Sequence, residues 1–235
     1  MKRAIVVALL LALAVVGQLW LRTRRPESAP ALAEGALAAF GGFRSIAAEV
    51  VWFRADRLQE EGRYVELAQL ATALTLMEPH TPEVWSYAAW NLAYNVSVMM
   101  DSSEERWQWV YSAVKLLRDQ GIVLNPREPE LYRELAWLFE LKIGTDIDAA
   151  GKVYREKWAE IVRDVKERGA WEELGMDVKR MLAIEQATSL NDWENPLLSA
   201  IYFASAGAQY ADGRELSLLK EIARQSAIIY SKNRK

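Results

Sequence analysis

With 235 residues, 51% of them apolar and 26% charged, the chain has the composition of a folded protein and not of a disordered one. It has no cysteine, which excludes disulfides, thiol chemistry and lipid attachment through sulfur. Lys2, Arg3, Arg22, Arg24 and Arg25 give residues 1–25 a charge of +5, so the whole-chain value of −3 leaves −8 on residues 26–235, and an acidic body without a basic stripe for phosphates argues against nucleic acid as a partner.

The chain opens on a basic start, then an apolar run from Ala4 to Leu21 of 18 residues, interrupted only by Gln18, with Trp20 near its end. As a helix at ~1.5 Å per residue the run spans ~27 Å, close to a ~30 Å hydrocarbon core. Small residues, which a cleaved signal needs after its apolar core, do not follow; Arg22, Arg24 and Arg25 do, and Ala31-Leu32-Ala33 comes too late. An uncleaved anchor over residues 1–25, held in the membrane through 4–21, is therefore favoured over a removed signal. The flanking charges nearly balance. The short basic tail favours an extracytoplasmic body, and the arginine cluster favours the reverse; a single-pass protein with its body outside is expected. Residues 26–43 read as a Pro/Ala/Glu-rich tether and a hinge at Gly41-Gly42, without the strand or spacing of a phosphate-binding loop.

An internal repeat follows. "PHTPEVWSYAAWNLAYNV" from Pro79 and "PREPELYRELAWLFELKI" from Pro126 match at a constant offset of 47 residues. Pro79/Pro126, Pro82/Pro129, Glu83/Glu130, Ala89/Ala136 and Trp90/Trp137 are identical, while Val84/Leu131, Trp85/Tyr132, Leu92/Phe139 and Val96/Ile143 are conservative. The first proline stops one helix and the second occupies the first position of the next, where its missing N–H costs nothing. Thr81 or Glu128 is then the expected cap, and the following glutamate favours the positive helix end. Before this turn Leu67, Leu70, Ala71 and Leu74 form a helical stripe. Beyond it Ser102 and Glu105 form a capping box that launches a helix over 104–120, striped by Trp107, Val110, Val114 and Leu117. A third unit turns at Gly144 and continues from Ala149 through Tyr154, Trp158, Ile161 and Val165. Helices are expected near 172–188, from Asn195-Pro196 to Ala211, and from Arg214 with Leu216, Leu219, Ala223 and Tyr230 on one face. Strand signals are absent.

Gly62, Tyr64 after it, and Pro79 a further 17 residues beyond the glycine resemble the turn and closing proline of a tetratricopeptide repeat (TPR), with Ala55 and Leu58 at its helix A packing positions. Leu67 and Arg54 depart from the pattern. The resemblance covers roughly 48–168 and extends to membrane-anchored, TPR-like bacterial proteins. It implies an all-α fold: a TPR-like α-solenoid of antiparallel helix pairs behind one transmembrane helix, with about three units in 44–168 and a degenerate helical cap in 169–235. In that family the concave face, lined by helix A, binds a peptide or partner helix. Carried over, the groove positions are Trp52, Asp56 and Gln59, then Tyr87, Trp90 and Tyr94, then Arg133, Trp137 and Leu141. The competing reading buries Trp90 and Trp137 between repeats.

Little points to chemistry. His80 lies in a turn without a second histidine to share a metal. Glu60-Glu61, Glu104-Glu105 and Glu172-Glu173 are neighbours that do not face each other on a helix. Ser102-Ser103 reads as a cap, and Asn95-Val-Ser97 as a chance sequon. No catalytic residue, metal or cofactor is expected. The expectation is a membrane-anchored scaffold or adaptor for a protein partner in a bacterial envelope. The alternatives are a subunit of a membrane complex or an enzyme with a site in the helical groove.

Overall fold

The computed structural model describes residues 50–233, and every regular element among them is helical. The apolar run 4–21, the tether and Gly41-Gly42 lie outside the described residues. Helix α1 covers 50–60 and α2 covers Tyr64–Met77. Helix α3 is built from Pro82–Trp90, Asn91–Val96 and Ser97–Met99, and α4 from Ser103–Lys115, Leu116–Gly121 and Ile122–Leu124. Helix α5 joins Pro129–Trp137 to Leu138–Ile143. Then come α6, Gly151–Arg168; α7, Val178–Thr188; α8, Pro196–Ala208; and α9, Gly213–Asn233. None of the described helices is long and apolar enough to cross a membrane.

The sequence repeat is also a repeat of backbone geometry. Glu78 closes α2 at φ −127°, ψ 62°, and Asn125 closes α4 at φ −130°, ψ 62°. Thr81 and Glu128, which precede the two N1 prolines, have ψ of 101° in both cases. Neither side chain caps its helix, contrary to expectation. The turn is closed by main chain instead: Thr81 N–H donates to Glu78 O at 3.1 Å and Glu128 N–H to Asn125 O at 3.2 Å. The aromatic pair adds the same bond twice. Trp85 Nε1 donates to Pro79 O at 3.0 Å, and Tyr132 Oη donates to Pro126 O at 2.9 Å. Nine residues into each helix the i→i+4 ladder widens to i→i+5, over Asn91–Val96 and Leu138–Ile143. Elsewhere the local signals act as read: Gly62 sits at φ 70° in the turn between α1 and α2, and Ser102 and Glu105 form the capping box that starts α4.

Contacts fix the relative directions of several helices. Helix α4 runs back along α3, with Arg106 Nε on Met100 O at 2.9 Å and the Trp85 ring 3.4 Å from where a Cβ of Gly121 would lie. Helix α1 meets α3 through the rings of Trp52 and Tyr87, 5.0 Å apart. Helices α3 and α5 run side by side in the same sense, with Ser86 Oγ on Glu130 Oε1 at 3.0 Å near their starts and Lys142 Nζ 5.0 Å from the Tyr94 ring further along.

The C-terminal pair departs from the expected fourth unit. A following helix A would run parallel to α5, but α8 runs against it: Tyr132 meets Gly207, Phe139 stacks on Phe203 at 5.7 Å, and Gly144 meets Leu197. Parallel to α5 runs α9, with Arg133 Nε on Glu215 Oε1 at 2.6 Å. The order of the two helices is thus reversed. The cause is that α8 is apolar on every side, being buried at all positions from Pro196 to Gly207 except Ser205, so it sits inside and not on one face. The single helix expected over 172–188 is also split, because Gly175 adopts φ 65° between the short turn Trp171–Leu174 and α7.

One core runs through α2 to α9, with Trp85, Phe139, Tyr154 and Trp158 among its largest fully buried side chains. The sequon is part of this framework and not a modification site: Ser97 is buried with its hydroxyl on Ala93 O, and Asn95 Nδ2 donates to Asn91 Oδ1 at 2.9 Å.

Candidate partner-binding face

Two matched stripes carry the candidate residues. On α3, Glu83, Tyr87, Trp90 and Tyr94 recur at i, i+4, i+7 and i+11; on α5, Glu130, Glu134, Trp137 and Leu141 do the same. Because α3 and α5 are parallel neighbours, the stripes lie next to one another.

The indoles of Trp90 and Trp137 are 49% and 40% exposed, so neither is core and neither is sealed between repeats. Each is the last residue before its widened turn, a backbone irregularity found frequently at functional sites. Trp90 stacks on Tyr94 with ring centroids 4.6 Å apart. Burial first, and the charge of Glu134 second, push the Tyr94 phenol well above its ordinary pKa. Lys142 Nζ lies beside the Tyr94 ring and is itself 3% exposed. It is held by Asp148 Oδ2 at 2.6 Å, which also accepts from Tyr154 Oη at 3.2 Å, while Oδ1 accepts from Ala150 N–H at 2.9 Å with Arg106 3.6 Å away. Burial alone would raise the Asp148 pKa, but these donors, Lys142 foremost, hold it below the usual value. The exposed Trp90 is thereby backed by a fixed chain of groups reaching into the interior.

The α1 positions join the same face. Tyr87 Oη donates to Gln59 Oε1 at 3.2 Å, and Trp52 is half-buried against the Tyr87 ring. Asp56 is exposed, and after burial its charge is the second cause of the raised Tyr87 pKa. Leu141 is half-buried at the end of the α5 stripe. Arg133, carried over as a groove position, is already engaged. Its guanidinium is committed to Glu134 and to Glu215 of α9, so it ties the C-terminal helix down.

Sequence reasoning missed Glu134, Lys142 and Asp148, and read Glu130 only as a helix-end charge. Nothing in the sequence marks Lys142, whose burial depends on the loop before α6 folding over it. Glu130 could have been found from its match with Glu83. A separate open groove of about 570 Å³ between α7 and α8, lined by Lys179, Arg180, Ile184, Ile201 and Ser205, does not involve these residues. The chain matches no family model, no curated protein and no solved structure.

Proposed function

We propose that the protein is a membrane-anchored, TPR-like α-solenoid that recruits a protein partner on the face made by α1, α3 and α5. The anchor is the apolar run 4–21, with the body on the extracytoplasmic side of a bacterial envelope. The solenoid reading is supported by the parallel α3 and α5, with α4 returning between them, and by the shared turn geometry 47 residues apart. The observation that carries the binding role is the pair Trp90 and Trp137. Two large apolar side chains stand exposed at one repeat position, in a molecule that buries Trp85, Trp107, Trp158 and Trp193. Leaving about half of a tryptophan in water forfeits on the order of 1 kcal/mol of burial each time, and exposed aromatics on a rigid support are what binding hot spots use.

The test is site-specific photo-crosslinking in membranes of cells expressing the full chain. A photoreactive residue at position 90 or 137 should give the same discrete protein adduct, and one at Lys166 on α6 should not. Adducts of equal yield from all three positions, or none from 90 and 137, would sink the reading. Trp90→Ala should lose the adduct formed at 137 while melting within about 2 °C of the parent protein, since a half-exposed side chain contributes little to the core.

A further inference from the structure

Each exposed indole is preceded, two turns earlier on the same stripe, by an acid: Glu83 before Trp90, and Glu130 before Trp137. Glu83 is exposed and makes no ion pair among the described residues. Glu130 accepts the Ser86 hydroxyl at 3.0 Å and likewise has no cation within ion-pair distance. Asp56 is exposed on the α1 part of the face, and Glu134 lies on the α5 stripe. Among the described residues, the cations of α5 on this side are both spent: Arg133 on Glu134 and Glu215, and Lys142 on Asp148 beneath the surface. First-turn acids do favour the helix dipole, but the dipole does not call for an exposed tryptophan on the same stripe in both units.

We propose that the partner element taken by this face is an extended basic segment. Its cations lie over the indoles of Trp90 and Trp137, drawn to the face by the charges of Glu83, Glu130 and Asp56. An indole face attracts a guanidinium or ammonium group, and the carboxylates, about 10 Å nearer the helix starts, act on it through the field of the face and not by direct contact. The spacing follows from the packing. Adjacent helix axes lie ~8–10 Å apart, so equivalent sites on α3 and α5 repeat at that distance. A chain crossing them in polyproline conformation advances ~3.1 Å per residue, which puts a cation on each site when every third residue is basic.

This inference rests on the proposed binding face, and the experiment separates the two. The probe is a fluorescein-labelled peptide of Arg-Pro-Pro repeats, titrated into the detergent-solubilised full chain at low salt. Three comparison peptides are used: Glu-Pro-Pro repeats, Gln-Pro-Pro repeats, and a peptide with arginine at every fourth position. The Arg-Pro-Pro peptide should bind and quench tryptophan fluorescence. Its affinity should fall roughly tenfold with Trp90→Ala or Glu130→Gln, and fall again as added salt shortens the screening length to ~8 Å. The fourth-position peptide should bind more weakly, and the Gln and Glu peptides should not bind. Glu130→Gln can still accept the Ser86 hydroxyl, and an unchanged melt confirms that it folds. Equal binding of the Glu or Gln peptide, or unaltered affinity in Glu130→Gln, overturns the basic-segment proposal. If crosslinks form at positions 90 and 137 but no arginine peptide binds, the basic segment is wrong and the partner face stands. If no crosslinks form, the face itself is wrong, whatever the peptides do.

Discussion

Helices α3 and α5 share a turn, a widened helical stretch and an exposed tryptophan, yet they differ at several inward positions, one of which faces α9. Where α3 has Ala93, fully buried, α5 has Glu140, which is 6% exposed. The backbone around the two is alike, since both lie within the widened turns. The neighbours are not alike. Glu140 looks across to Glu221 and Ser226 of α9, a helix that comes from the reversed C-terminal pair and not from another unit. The turn chemistry of Pro-x-x-Pro-Glu therefore dictates how each unit starts, and the identity of the next helix dictates what its flank must carry. The same position is a buried alanine in α3 and an ionisable contact with α9 in α5.

The largest effect should come from breaking the shared turn. Trp85 is 1% exposed, packs on Gly121 and bonds Pro79 O, so Trp85→Ala should cost about 3–5 kcal/mol in denaturant unfolding. At the matched position Tyr132→Phe removes only the bond to Pro126 O and should cost about 1 kcal/mol. Trp90→Ala, five residues along from Trp85 on the same helix, should cost no more than that. If Trp85→Ala were as mild as Trp90→Ala, the two turns would not depend on their aromatic bonds at all.

How much of this was legible in the sequence depends on the kind of signal. The turn was legible because two prolines, an aromatic and a glutamate at fixed spacing each have a local consequence, and the consequence was the same in both copies. The exposed stripe was only half legible: the resemblance put Trp90 and Trp137 on a groove face, the competing reading buried them between repeats, and only their 49% and 40% exposure in the fold decides that they are not core. The reversal of α8 and α9 was not. A hydrophobic pattern tells which face of a helix is buried and not which way the helix runs, and α8 shows too little asymmetry to give even a face. The pairing of Arg133 was not legible for the same reason. Its partner Glu215 is 82 residues away on the reversed pair, and no local rule connects them.

The second effect sharpens the Ala93–Glu140 contrast. Burial, then the charge of Glu221, push the Glu140 pKa up to about 7 against a slight opposing contribution from Ser226. A carboxyl whose pKa is raised by folding favours the folded state only while protonated. Its contribution is intact below its ordinary pKa of 4.5, declines as pH rises from there, and is fully lost above about 7. The loss is on the order of 3 kcal/mol. Glu140→Gln should therefore be more stable than the parent protein at pH 8 and nearly equal to it at pH 4, measured by denaturant midpoints at both values. Glu221 acts in the opposite sense, its pKa being lowered to about 2 by Arg224 and Gln225. The comparison must therefore be variant against parent at each pH, not one protein across the range. A Glu140→Gln variant with the same difference at pH 4 and pH 8 would mean that Glu140 ionises normally and that α9 does not bury it.

The smallest effect concerns the caps, and it tests whether main chain alone starts the repeated helices. Ser102 caps α4 through its side chain, with Glu105 N–H donating to Ser102 Oγ at 3.1 Å, and Glu105 reaches back to complete the box. Thr81 occupies the corresponding place before α3 but makes no such bond, and Glu128 before α5 makes none either. Loss of a side-chain cap costs about 1 kcal/mol, so Ser102→Ala should shift the thermal midpoint down by about 3 °C. Thr81→Ala and Glu128→Ala should stay within about 1 °C of the parent protein, because Pro82 and Pro129 already fix φ at the first helical position and the carbonyls of Glu78 and Asn125 already take the N–H groups of the turn. A drop for Thr81→Ala as large as that for Ser102→Ala would show that threonine caps α3 in solution. The two units would then start their helices differently, since Glu128 has no equivalent hydroxyl, and the identity of their turns would be a matter of backbone angles only.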